Sequence, residues 1–582
     1  MNKKLICERS ELGFATRRIW VVLLLLLISV GMQTAAQEQE TIRVTGKLVR
    51  VMGPGGETTG WSIRLESEIT VDGKPVRSIE VEGPASKLDK LENKCVKAQG
   101  QINHRHGVVR GDWPVLMIFT IEVNFTVSSG VDLVQHVSGS NTRNNDFASP
   151  YCYHFQLPNF TTAGNAVVVG FTFQNNPTPA VSDDQGDSYA LQVNYFDSAD
   201  SQSIGIATAF NVVAGARLIS VCFSSDPGGY VQPMATEFDN VIAMDATGTA
   251  SQGSGTSVSP GALTPTVTGD LAYQLVYSLS TNQSSFTAGS QSNISWNLLS
   301  ADLLDGWAAQ YGQYNSTASL TPTLTMGTSQ KWISAAILLQ TGTSGGVPSG
   351  MRIVHLVHEN IPEHTASGGT GNPFPNPLAL QFPSSGNLLV AMIGGGYNSA
   401  TITSMTDTNN NTWSQVGTTQ VIAGNDTALA YYTGNAVSSS NLALTLQWSA
   451  TDGDFTAFLY DVTGAAASPL DTSAGTTGYQ SSAGNLTLPF TITPAEANEL
   501  IFAETVWDYN TGAGMLPQGA FFDTNTFDGE SQSGPEPVDE NNNWGHLLTT
   551  GTAPVDITWE IMFSGLPVND WAAMAVAFKP TP

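Results

Sequence analysis

The chain has 582 residues, 41% of them hydrophobic and 12% charged, with 22 Lys and Arg against 49 Asp and Glu for a net charge of −27. A length of this order predicts two to four domains. Residues 37–125 balance 12 basic against 12 acidic side chains, whereas residues 126–582 carry only Arg143, Arg217, Lys331, Arg352 and Lys579 against 35 acids, a net of −30; a surface so acidic repels phosphate and excludes nucleic acid and anionic membranes as partners of that part.

In chain order, Lys3, Lys4, Arg9, Arg17 and Arg18 precede an apolar run, Trp20–Val30, and a small-residue stretch ending Thr34-Ala35-Ala36. These are the three parts of a secretory signal, residues 1–36, with cleavage after Ala36. The run is shorter than the roughly 20 residues that cross a bilayer as a helix, so the mature chain is expected to begin near Gln37 and to be secreted or displayed at the cell surface. An uncleaved N-terminal anchor is the competing reading. Of the four cysteines, Cys7 leaves with the signal and Cys95 stands alone in the next segment. Cys152 and Cys222 share a predicted domain, where they either pair in an oxidising compartment or serve as small buried hydrophobes.

Residues 37–125 read as a small β module. TIRVTGKLVRV, GWSIRLES and the pair ITVDGKPVRSIEV, turning at Asp72-Gly73, alternate as strands do. A short helical stretch, SKLDKLENK from Ser86, precedes CVKAQGQIN and the apolar PVLMIFTIEV. Five or six strands with one short helix predict a closed OB-like barrel. Through GKLVRV, GETTGWSIRL and the HRHGV turn, this span resembles a small β-barrel module of exported bacterial proteins, a likeness that implies location rather than activity.

The remainder reads as an internal duplication, residues 126–340 and 351–582, separated by a small, flexible linker, TGTSGGVPSG, at 341–350. GNAVVVGFTF from Gly164 matches GNLLVAMIGG from Gly386, and VSDDQGDSY from Val181 matches MTDTNNNTW from Met405. IGIATAFNV from Ile204 matches TALAYYTGNA from Thr427, LAYQLVYS from Leu271 matches ELIFAETV from Glu499, and KWISAAILLQ from Lys331 matches DWAAMAVAFK from Asp570. Short Val-, Ile-, Thr- and aromatic-rich segments punctuated by Gly, Asn, Asp and Pro predict an antiparallel sandwich of jelly-roll type for each copy. The expected fold class is therefore all-β, a small OB-like barrel followed by two tandem β-sandwich domains. Helix is expected only over SADLLDGWAAQYG, from Ser300. Each copy resembles modules of bacterial and phage-associated surface proteins, in which a signature like VTDsxGNtW lies between strands.

Candidate chemistry is sparse. Asp183 and Asp187 in the first copy, and Asp407, Asn409 and Asn411 in the second, place oxygen side chains at alternate positions of the repeated turn. Calcium takes about six to eight such oxygens, so these residues are candidate parts of a calcium site, calcium being the one cofactor the sequence suggests. The preferred reading is a plain hairpin turn, for which Asp, Asn and Gly are equally suited. His355, His358, Glu359 and His364 are out of HExxH order, and His104-Arg105-His106 reads as an exposed turn. Trp307 with Trp544, and Trp332 with Trp571, match between the copies and read as core. Trp507, Tyr509 and Trp559 lack aromatic equivalents and are the candidates to stack on a sugar, in competition with packing. No nucleophile elbow, Cys–His pair or phosphate loop occurs in its required context. The favoured expectation is a secreted or cell-surface, non-catalytic protein that binds glycan or another extracellular partner through loops of the duplicated sandwiches, since two weak sites on one chain reinforce each other. The alternatives are an extracellular glycan-degrading hydrolase and a structural component of an envelope or matrix.

Overall fold

The structure, a computed structural model, describes residues 41–581 apart from 53–57, 73, 85–86, 89–94, 108–110, 124–130, 139–150, 229–230, 280–282, 304, 343–344, 362–377, 396–400, 422–426, 450–454, 480–486, 509–513, 519–539 and 563–569. The predicted signal segment, 1–36, lies outside the described residues. The fold is all-β, and it divides into two compact units, residues 1–130 and 131–582.

In the first unit the strands Thr41–Met52, Thr58–Val71, Lys74–Glu82, Cys95–Gly107 and Gly111–Val123 close into a barrel, each named here in chain order and joined first, second, third, fifth, fourth. The third and fifth run parallel, with Glu80 beside Val115. That order is the Greek-key path of an OB-type barrel. Asp72 turns the hairpin at φ 52°, the left-handed angle that a tight two-residue connection requires. Leu48, Ile63, Val96 and Leu116 fill the interior. Of the expected short helix, Lys87 and Leu88 are described, both donating their N–H to Pro84 O, and this turn lowers Leu88 onto the barrel core. His104 is tied to Asp72 at 2.7 Å and Arg105 to Glu82 at 2.5 Å, so two members of the HRH run have acidic partners.

The second unit is a layered sandwich built around one sheet of eleven strands. Its first five, in spatial order, are Ala190–Asp197, Gln202–Phe210, Ala166–Gln174, Gln232–Phe238 and Leu133–Ser138. The sheet then continues into Arg352–Ile361, Phe455–Thr463, Leu388–Gly395 and Thr427–Gly434, with two short strands at the far edge. The join is a parallel pairing in which His136, Val137 and Ser138 lie beside His355, Leu356 and Val357. One face of the sheet packs Val167, Val169 and Phe171 on a three-stranded sheet of the first half, and Leu388, Val390 and Met392 on a four-stranded sheet of the second. On the opposite face the roles exchange. Ala166 and Val168 meet Tyr273 and Ile337, while Leu389 and Ala391 meet Leu442 and Leu444, all on strands of a single ten-stranded sheet.

Sequence suggested two separately folded copies, but the sheets run from one half into the other. The strand Leu133–Ser138 is buried on both faces and needs a neighbour at each edge. The linker is also fixed, because Gly346 N donates to Asp239 Oδ1 at 2.9 Å and Asn165 Nδ2 to Gly346 O at 3.3 Å. Cys152 and Cys222 stand opposite each other on paired strands of the three-stranded sheet and form a disulfide.

Three sequence expectations are corrected. The segment 300–312 is not a helix: it is part of a hairpin of Asn297–Asp302 and Trp307–Tyr314, turning at Gly306 with φ 80°. Both strands are mostly buried on both faces, so sheet packing overrides the helical period. Counted from Trp332 and Trp571, the pairings of Leu271 with Leu339 and Leu500 with Phe578 set Leu271 level with Leu500, one residue away from the sequence match. In the same frame Trp544, opposite Glu504, stands level with Ala309 rather than Trp307. Trp332 and Trp571 do hold the same place, each lying over a glycine of the neighbouring strand, Gly253 and Gly478.

Candidate functional site

The Asp and Asn turns are built alike in both halves. Asp183 Oδ1 accepts the N–H groups of Gln185 and Asp187, each at 3.0 Å, and its Oδ2 accepts Tyr189 OH at 3.2 Å. Asp407 Oδ1 accepts Asn409 N at 2.9 Å and Asn411 N at 3.1 Å, while its Oδ2 takes Asn411 Nδ2 at 3.0 Å and Trp413 Nε1 at 2.7 Å. Asp187 and Asn411 each bind the next turn, through Val213 N at 2.9 Å and Val437 N at 3.0 Å. Asn409 Nδ2 donates to Val437 O at 2.8 Å. The left-handed positions fall at Gly186 and Asn410, as such turns require. N–H donors, with the Tyr189 hydroxyl, therefore occupy the Asp183 and Asp407 oxygens that a calcium ion would need. Among the described residues no three His, Cys, Asp or Glu side chains gather as metal ligands do.

Of the aromatic candidates, the backbones of Trp507 and Trp559 are described. Trp507 lies on the strand Leu500–Asp508, level with Trp571, and Trp559 on Val555–Met562, level with Leu488. The side chains of Trp507 and Trp559, and the whole of Tyr509, lie outside the described residues, as do His364 and the side chains of His358 and Glu359. His355 is buried at the join of the halves, with Nδ1 2.8 Å from Asp461 Oδ2 and its ring 6.1 Å from that of His136. His136 bonds Thr236 and Ser300, each at 2.8 Å, and burial, reinforced by the nearby His355, pushes its pKa well below the usual histidine range.

Two further carboxyl pairs, missed in the sequence, sit at equivalent strand starts. Asp270 begins the strand Asp270–Ser278 and is fully buried beside Asp245, which accepts Thr266 N at 2.8 Å and Gln340 Nε2 at 3.1 Å. Burial, with its hydrogen bond to Asp245 and the charge of that carboxylate, raises the Asp270 pKa to about 7, whereas Asp245, held by its donors against its own partial burial, lies at about 2. Glu499, at the foot of Leu500–Asp508, is likewise raised by burial and by Asp471. In each pair burial and the neighbouring carboxylate favour the protonated form of one acid.

Concave surface occurs in the first half, in a cleft of about 520 Å³. The half-buried Tyr311 lines it with the buried Leu271 and Ile294, and Asn293, Ser295, Asn297 and Asn315 form its polar rim. Tyr311 comes from the strand Trp307–Tyr314, with the Phe238 ring 5.3 Å behind it. Burial, with Asp132 nearby, raises its hydroxyl to about 12, so it stays neutral in ordinary media. The rim is fixed by the backbone: Asn315 N donates to Asn293 O at 2.8 Å, and Asn293 adopts φ 65°. Gly312 lets the two segments close, since a Cβ there would lie 2.6 Å from Ser295 O and 2.8 Å from Ile294 Cγ1. The amides of Asn293, Asn297 and Asn315 have no partner among the described residues, whereas Gln313 Nε2 is committed to Gly269 O at 3.0 Å. Reading 300–312 as a helix hid Tyr311, and nothing in the spacing of three dispersed asparagines marks them as one rim. No protein-family model, curated protein or solved structure matches this chain.

Proposed function

We propose that the protein is exported and non-catalytic, and that it binds a glycan or another polar extracellular partner at the cleft of the first half. The observation that carries this reading is the combination of amides without a partner among the described residues and a half-buried tyrosine ring around one concave surface. Such sites fix a ligand with a few directed polar groups over an apolar floor. Export is supported by the basic, apolar and small-residue stretches of the N-terminus and by the Cys152–Cys222 disulfide, which persists in oxidising compartments. A hydrolase of glycans needs two carboxyls facing each other across about 5–10 Å, and no carboxylate is among the residues lining the cleft. We also infer that the two halves of residues 126–582 arose by tandem duplication, which is supported by the paired tryptophan-on-glycine contacts and by the twin aspartate-capped turns.

The test is the mature chain, residues 37–582, applied to an array of neutral and anionic oligosaccharides beside its Asn297→Ala and Tyr311→Ala variants. Binding by the parent that falls at least about tenfold in both variants is expected, because each loses a directed contact worth about 1.4 kcal/mol or more. A blank array, or binding indifferent to both substitutions, refutes the site.

A further inference from the structure

We propose, resting on that reading of the cleft, that it takes a neutral oligosaccharide and that each chain binds one, in the first half only.

The ligand class follows from the lining. Among the lining residues there is no Asp, Glu, His, Lys or Arg, so a charged group on a ligand would meet no counter-charge. A primary amide offers donors and an acceptor together, as a sugar hydroxyl does, so Asn293, Asn297 and Asn315 match vicinal hydroxyls whichever way these point their protons. The half-buried Tyr311 ring, backed by the buried Leu271 and Ile294 side chains, presents carbon surface to the C–H face of a pyranose. Beyond the cleft, residues 126–582 carry a net charge of −30, a field that opposes uronic or sulfated sugars as they approach. A neutral saccharide meets neither penalty.

The single stoichiometry follows from what stands at the same place in the second half. Tyr311 lies opposite Tyr273, which pairs Ile337, and His546 lies opposite Phe502, which pairs Val576. Ile337 and Val576 hold the same position counted from Trp332 and Trp571, so His546 is the positional counterpart of Tyr311. His546 is closed over by the first half, with Nε2 2.5 Å from Pro158 O and 3.3 Å from the Arg217 guanidinium. The next two residues are Leu547 and Leu548, where the first half has Gly312 and Gln313. A branched side chain thus stands at the place where Gly312 lets residues 294–295 close in, and among the described residues no equivalent opening is found there.

The experiment is isothermal titration of the intact mature chain with cellohexaose, xylohexaose and laminarihexaose as neutral probes, and with hexagalacturonate and a hyaluronan hexasaccharide as anionic ones. The same probes are titrated into Asn297→Ala and Asn315→Ala, rim changes at the half-buried start of a strand and at an exposed position just after one. At least one neutral hexasaccharide is expected to bind with a stoichiometry near one, to weaken at least about tenfold in both variants, and to outbind the anionic probes. Two equivalents bound per chain, or neutral binding that both variants retain, overturns the proposal. Preferential binding of an anionic hexasaccharide that the variants abolish overturns it too, while leaving the cleft as the binding site. No heat with any probe removes both.

Discussion

Asp407 receives four donors, two from its own turn's backbone, one from the Asn411 amide and one from the Trp413 indole, and it is almost fully buried. Replacing it leaves those donors without an acceptor in a site that water reaches poorly. Unpaired buried donors cost about 1–3 kcal/mol each, and partial rehydration lowers the sum. Asp407→Ala is therefore expected to destabilise residues 131–582 by about 2–3 kcal/mol, read as a lower urea midpoint at unchanged slope. Because N–H groups already occupy these oxygens, millimolar calcium is expected to leave the melting temperature of the parent unchanged. A rise that Asp407→Ala abolishes would put the ion back into the turn. The spacing of Asp407, Asn409 and Asn411 made a turn legible in the sequence. Whether its oxygens face donors or an empty coordination sphere depends on how Trp413 and Val437 are folded over it, and that is set by the sheet rather than by the motif.

At the level of strands, the carboxyl pairs make a pH-dependent element of each half. Asp270 keeps its proton in the folded chain to about pH 7, but in the unfolded chain only to about pH 4. Between those values the folded state holds one more proton, so this contribution is full below about pH 4, declines as pH rises toward 7, and is gone above it. Asp245 has the opposite sign: its stabilisation is present above about pH 4 and is lost as pH falls toward 2. Asp270→Asn supplies a permanent donor to Asp245. It is expected to raise stability by about 1–2 kcal/mol at pH 8, a discounted share of the roughly 1.4 kcal/mol per pKa unit, and to change little at pH 4. Urea titrations at the two pH values check this, and an equal effect at both would show that no proton is shared. The strands themselves were largely readable from alternation, and Leu271, matched to Glu499 in the sequence, stands level with its neighbour Leu500. The exception, 300–312, fails because a hairpin buried on both faces has no polar side to reveal its period of two, so its Ala and Leu content imitates a helix.

Across the whole of residues 131–582, the halves are held by contacts that neither has alone. Gln381, from the second half, uses both ends of its amide on Phe286 of the first, accepting from the backbone N and donating to the backbone O, each at 2.8 Å. Asn159 Nδ2 donates to Ile353 O at 2.6 Å, and Arg352 donates to Val134 O. Apolar side chains of both halves share one core face, from Val167 and Phe171 to Val390 and Met392. Separating the halves would expose that face and open a sheet edge along Arg352–Ile361, which attracts other chains. Sequence could not show this, because the flexible composition of 341–350 describes a linker's local freedom and not the strands on either side of it. Residues 131–582 are thus expected to unfold in one transition, with calorimetric and van't Hoff enthalpies in agreement, whereas residues 351–582 expressed alone should melt broadly or aggregate. The large fragment can be prepared with trypsin, because the first unit is rich in basic residues while 126–582 offers five, one of which, Arg352, is committed to Val134 O at the join. Two resolved transitions in that fragment, or a 351–582 chain that melts cooperatively at the temperature of the whole, would show that each half carries its own core and that the continuous sheet adds nothing to stability.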